Sequence, residues 1–137
     1  RIGSAAALAS LKEMRRIKSW EKINKIGKYI KNKIKKIAIK NNIEMVFSGY
    51  NALIKFNFKK KNNLICKTFI TQEMLKKNIL ATNAIYVCTE HKKKYIDKYL
   101  FNLDKIFKII SKTRNNEQLK KLINGPISKS DFRTINK

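Results

Sequence analysis

No stretch of the sequence approaches the roughly 18 consecutive apolar residues that span a bilayer, and the start lacks the charged, apolar and small-residue order of a secretory signal. The expected location is therefore the cytoplasm. Cysteine and histidine are scarce: Cys66 and Cys88 stand alone, no CxxC pair occurs, and His91 is the only histidine. Those three cannot make a four-ligand zinc site, and both cysteines read as small buried residues. No GxGxxG, Walker loop or HExxH motif is present, and no nucleophile stands with a base. Ser128 and Ser130 lie near the C-terminus without a matching histidine. One proline leaves the chain with few breaks.

Acidic residues are also few, nine against 33 Lys and Arg, which gives a formal charge of +24. Such a chain attracts polyanions, so nucleic acid and anionic membrane have to be weighed. Only five of the 33 are arginine, whose planar fork favours selective phosphate and base recognition. Lys, Ile and Asn make up 64 of 137 residues, the mixture an AT-rich genome produces at exchangeable surface positions. The lysines run along the whole chain instead of forming one block with interleaved aromatics, which reads as solvated helix faces. Specific nucleic-acid binding and membrane binding are not expected, and any polyanion binding should be diffuse.

At 137 residues, 43% of them hydrophobic, the chain is expected to fold around one core. Ser4 to about Lys18 reads as a short helix with Ser4 as N-cap and Ala5, Leu8, Leu11 and Met14 or Arg15 at helical spacing. Ser19 reads as a second N-cap. Trp20, Ile23, Ile26, Ile30, Ile34 and Ile37 follow in three- and four-residue steps, and Asn41 and Asn42 end that helix. Gly27 inside it predicts a close neighbour. From Ile43 the period becomes two: Ile43, Met45 and Phe47, then Ile54, Phe56 and Phe58, predict two strands around a turn or bulge at Gly49. Residues 59–63 read as a polar loop and Thr71 to Lys77 as a helical turn or two, with Asn78 as a left-handed cap. Ile79 to Thr89 predicts a third strand, apolar on both sides and hence central. Lys92 to Thr113 is the last long helix, and a short helical segment is expected near Leu119 to Ile123 in an extended tail.

Asp97 and Asp104 sit on that last helix among lysines and read as solvated ion-pair partners. His91, between a strand and a helix, reads as a structural hydrogen bond or an N-cap. The order of elements predicts an α+β fold with a small, mainly antiparallel sheet of three to four strands and the two long helices packed on one face.

The opening Arg1-Ile2-Gly3 with "AAALASLKEM" resembles the stretch after the phosphate-binding segment of class III aminotransferases, especially the branch around glutamate-1-semialdehyde aminomutase. In order along the chain, "SWEKINKIGKYIKN" resembles that family's long C-terminal-domain helix and "SGYNALIKFNF" its strand pair. "ITQEMLKKNILA" resembles a helix and turn, "YVCTEH" a strand ending in histidine, and "LINGPISKSDFRTIN" a C-terminal Gly-Pro, Ser and Phe pattern. Ser4 replaces a common proline and Asn78 a common glycine, which Asn substitutes at positive φ with modest penalty.

The resemblance implies the small C-terminal domain of a fold-type I enzyme that uses pyridoxal phosphate (PLP). Residues 1–18 would be the helix leading from a large domain, 19–113 the small domain and 114–137 its tail. It further implies a homodimeric transaminase or aminomutase acting on a small-molecule amino donor and acceptor. Its Schiff-base lysine and the acidic partner of the pyridine nitrogen would precede Arg1. No residue here matches those motifs, so none is assigned as catalytic, cofactor-binding or metal-ligating. The 137 residues alone would be inactive. The alternative is a basic module binding nucleic acid or anionic membrane.

Overall fold

The structure, a computed structural model, describes residues 2–129, so Arg1, Ser130 and the rest of the C-terminal Phe-containing pattern lie outside the described residues. The helix-spaced runs become α1 (Ile2–Arg16), α2 (Ser19–Lys40), α3 (Asn63–Leu75), α4 (Lys93–Lys112) and α5 (Asn116–Lys120), and the alternating runs become β1 (Met45–Ser48), β2 (Leu53–Phe58) and β3 (Ala84–Tyr86). The fold is α+β, with one antiparallel sheet in the order β1-β2-β3.

Alternation decides which face of the sheet is inside. Ile54, Phe56 and Phe58 are buried while Leu53 and Lys55 are exposed, and the register places Phe47 opposite Phe56 and Leu53 opposite Tyr86. The inward face packs on the isoleucine stripes of α2 and α4: Ile30, Ile34 and Ala38 from one, Ile96, Leu100, Leu103, Ile106, Phe107 and Ile110 from the other. Phe56 and Phe58 meet Phe107 edge-on, with ring centroids 6.2 and 5.7 Å apart, the geometry aromatic quadrupoles favour.

Polar contacts fix the ends of these elements. Asp104 on α4 accepts from Lys40 Nζ at 2.6 Å and from Asn41 Nδ2 at 2.8 Å, tying the end of α2 to α4. Donation by Lys40 holds the Asp104 carboxyl below its ordinary range, with Asn41 helping. Asp97 pairs with Lys93 at 2.5 Å. Both aspartates are thus ion-pair partners, as expected. Asn42 and Asn78 adopt positive φ, 54° and 55°, which turns the chain after α2 and α3.

Several local expectations are corrected. Ser4 lies inside α1 and caps nothing. Ser19 is the buried first residue of α2, and the cap position belongs to left-handed Lys18. The third strand covers three residues and lies at the sheet edge, because Tyr86 and Cys88 point to solvent and only one side is buried. The stretch 79–83 is not strand, although Asn83 still bonds to β2: its carbonyl accepts from the Phe56 amide at 3.0 Å and its Nδ2 donates to the Phe56 carbonyl at 3.1 Å. α3 starts eight residues before Thr71: Asn62 caps it by accepting from the Leu64 and Ile65 amides at 3.0 and 3.2 Å. Its face of Ile65, Cys66, Phe69, Ile70 and Met74 enters the core. After α4 the chain is docked, with Leu119 of α5 fully buried. Gln72 donates to the Leu122 carbonyl and accepts from the Asn124 amide, and Thr68 Oγ1 accepts from the Ser128 amide at 2.9 Å.

Gly27 has the close neighbour that its place in α2 predicts. A Cβ there would lie 1.9 Å from the Asn51 carbonyl oxygen in the β1–β2 turn, so only glycine lets that turn seat on α2. Gly49, at φ 80°, opens the same turn. Gly27→Ala should therefore destabilise. Helix propensity favours Ala by up to about 1 kcal/mol, overpacking costs about 1–3 kcal/mol, and a net loss of about 1–2 kcal/mol is expected. Urea unfolding checks the sign: a lowered midpoint is expected, and an unchanged or raised one would show that the turn does not press on α2.

Candidate functional site

The outward face of the sheet leaves Val46, Leu53 and Tyr86 exposed, and a groove of about 1330 Å³ is lined by residues of this face and of the β3 edge. One wall is the later part of α3, with Lys67, Thr71, Gln72 and Leu75; the floor is Leu53, Lys55 and Ala84 of the sheet. The opposite wall is His91, just before α4, with Tyr95 and Tyr99 of that helix's first turns. Large apolar side chains stand exposed at its rim, with Tyr86 75% and Leu80 88% accessible. A patch of this kind on a folded chain marks a surface built to be covered.

The electrostatics of the groove are one-sided. Lys55 and Lys67 line it, hydroxyls and amides surround them, and no Asp or Glu is among its described lining residues. Tyr99 has its hydroxyl buried without a described partner, and burial pushes its phenol above the ordinary range, so it stays a neutral donor. His91 Nδ1 accepts from the Cys88 amide at 3.3 Å, which places the proton of the neutral ring on Nε2. This is the structural hydrogen bond expected of His91, whereas the N-cap of α4 is Lys92. Such a groove suits an anionic group held by ammonium and hydroxyl donors over an apolar floor.

Of this groove's members, only His91 and Ser128 stand out in the sequence as candidate reactive residues. Lys67 escapes notice because its helix is read only from Thr71, and Lys55 because it looks like an ordinary outward strand residue. A PLP site would require a lysine for the aldehyde carbon and a carboxylate for the pyridine nitrogen. Lys55 and Lys67 could offer the first, but the described lining offers no carboxylate, so these residues do not by themselves fit PLP. Among the described residues no cluster of three or more His, Cys, Asp or Glu could hold a metal ion.

The two cysteines differ, which corrects the expectation that both are buried. Cys66 is enclosed in the core and burial pushes its thiol up to about 12, while Cys88 is exposed beside His91. Titration of the native chain with a thiol reagent at neutral pH should label Cys88 rapidly and Cys66 only after unfolding. Two equally fast thiols would contradict the packing of α3.

No helix among the described residues is long and apolar enough to cross a membrane. No family model matches the sequence, and no curated protein matches it either. The fold does have a solved counterpart in the FumI protein of Sphingopyxis sp. MTA144, whose structure is of its PLP internal aldimine form. The match has a TM-score of 0.70 at 14% identity and covers 84% of this chain. It spans 29% of the FumI chain, so what the two share is the fold of an α+β unit less than a third the length of that protein.

Proposed function

We propose that this chain is the small C-terminal domain of a PLP-dependent class III aminotransferase or aminomutase, of the branch around glutamate-1-semialdehyde aminomutase. The observation that supports this reading is the fold shared with a PLP-bearing protein over most of this chain and a minor part of the other. The surfaces left open agree with it. α1 buries none of its residues and exposes Ile2, Leu8, Leu11 and Met14, and the outward sheet face exposes Leu53 and Tyr86. In this reading a larger domain preceding Arg1 covers both surfaces and supplies the Schiff-base lysine with its acidic partner. PLP, when bound there, stabilises the carbanion that amino-group transfer requires.

The role of the present residues is then to close one side of that site. Lys55 and Lys67 would meet the anionic end of an amino donor or acceptor, and Leu53 and Ala84 beside them would help to exclude water. The whole enzyme would be a cytoplasmic homodimer acting on small amino compounds. Two results test the reading. The reading frame preceding Arg1 should encode several hundred residues with a large αβα domain and a lysine suited to the cofactor. The 137-residue chain mixed with PLP and trapped with borohydride should carry only scattered substoichiometric adducts and show no transamination. A stoichiometric adduct on one lysine, abolished by mutating that lysine, would overturn the division of labour.

A further inference from the structure

Folding gathers some of the evenly spread lysines into a line that the sequence does not display. Lys94, Lys98, Lys105, Lys108 and Lys112 recur on α4 at steps of three, four and seven, so they lie along one side of the helix. All are exposed, and the stripe runs for about 27 Å at the usual rise per residue. Phe101 occupies the place between Lys98 and Lys105, and its ring is 61% exposed with Lys105 Nζ 4.1 Å from its centroid. Tyr95, also exposed, sits at one end beside Lys94. The nearby acids do not neutralise the line, since Asp97 pairs with Lys93 and Asp104 with Lys40. None of the five stripe lysines forms an ion pair among the described residues.

From this arrangement we infer a binding surface for single-stranded nucleic acid, held by its phosphates on the lysine line and by one base stacked on Phe101. The lysines answer the backbone charge without reading sequence, and an exposed ring offers every base a stacking surface that a duplex would keep occupied. The length suits a few nucleotides, within the range of about 4 to 16 that single-strand sites occupy. An anionic membrane fits less well. The continuous apolar face of α4 is spent on Leu100, Leu103, Phe107 and Ile110 in the core, which leaves only the separated side chains Tyr95, Phe101 and Ile109 to meet acyl chains, less than an interfacial helix presents. α2 carries eight lysines against six on α4, but its exposed ring, Trp20, precedes the first of them and Tyr29 among them is only half-exposed, so equal charge removed from α2 serves as an internal control. This inference is independent of the enzyme reading.

The test uses the 137-residue chain and a labelled oligothymidylate, with anisotropy followed across a salt series. The triple variant Lys98→Gln, Lys105→Gln, Lys108→Gln should lose about tenfold or more in affinity at near-physiological salt. Its slope of log K against log salt should flatten by about 2, since each single-strand phosphate contact contributes about 0.7. Phe101→Ala should lose about fivefold or more with the slope unchanged. Lys25→Gln, Lys28→Gln, Lys36→Gln removes the same charge from α2 and should cost under about twofold; all substituted positions are exposed, and circular dichroism checks that each variant stays folded. Equal losses from the two triple variants would overturn the stripe in favour of diffuse attraction. An unaffected Phe101→Ala variant would overturn the stacking. Binding to phosphatidylserine vesicles but not to the oligonucleotide would overturn the choice of ligand.

Discussion

The packing of Phe56 and Phe58 against Phe107 fixes the rest of the molecule. Those two side chains of β2 and one of α4 lie in the middle of the core, joined by Phe47 from the neighbouring strand. Because side chains alternate along a strand, committing Phe56 inward commits Leu53, Lys55 and Asn57 outward; a slip of one residue would exchange the two sets. The same commitment orients α4, whose apolar stripe faces the sheet and whose lysines must then face away. One aromatic cluster thus determines both the open sheet face with its groove and the basic line on the opposite side of α4.

The surfaces so produced differ in chemistry. The groove combines an apolar floor with Lys55, Lys67 and a neutral buried phenol, and α1 adds an exposed apolar face that makes no contribution to the core. Both are surfaces suited to being covered, which agrees with a unit whose counterpart occupies under a third of a longer protein. The α4 stripe is ionic and solvated, with one ring among the lysines. The two surfaces meet at Tyr95, which lines the groove and also ends the lysine stripe.

Much of the fold is legible in the sequence because its longest elements repeat large apolar residues at a regular period. Isoleucine at three- and four-residue steps places α2, a mixed stripe of Ile, Leu and Phe at the same steps places α4, each to within a residue or two, and alternation of Ile54, Phe56 and Phe58 places β2. The left-handed cap at Asn78 and the tight spot at Gly27 are also legible, the first because Asn tolerates positive φ and the second because only glycine lacks a Cβ. The start of α3 is obscured by the lysine and asparagine run before it, although Asn62 as cap and Ile65, Cys66, Phe69 and Ile70 at helical spacing carry the signal. β3 misleads because apolar residues on both sides suggest a central strand, while Tyr86 is left at an open edge. The groove cannot be read from spacing at all. It joins residues of the sheet, α3, α4 and the segment after α5, and only tertiary packing brings those together.

Residue-level amide hydrogen exchange on the 137-residue chain tests most directly whether the aromatic cluster is the anchor and α1 an unsupported helix. Exchange from the most protected amides reports global unfolding, and exchange from an element outside the core reports local opening. The slowest amides are expected in β2 and the middle of α4, with those of α1 exchanging far faster, by local opening. Protection of α1 equal to that of α4, or fast exchange throughout β2, would contradict the core described.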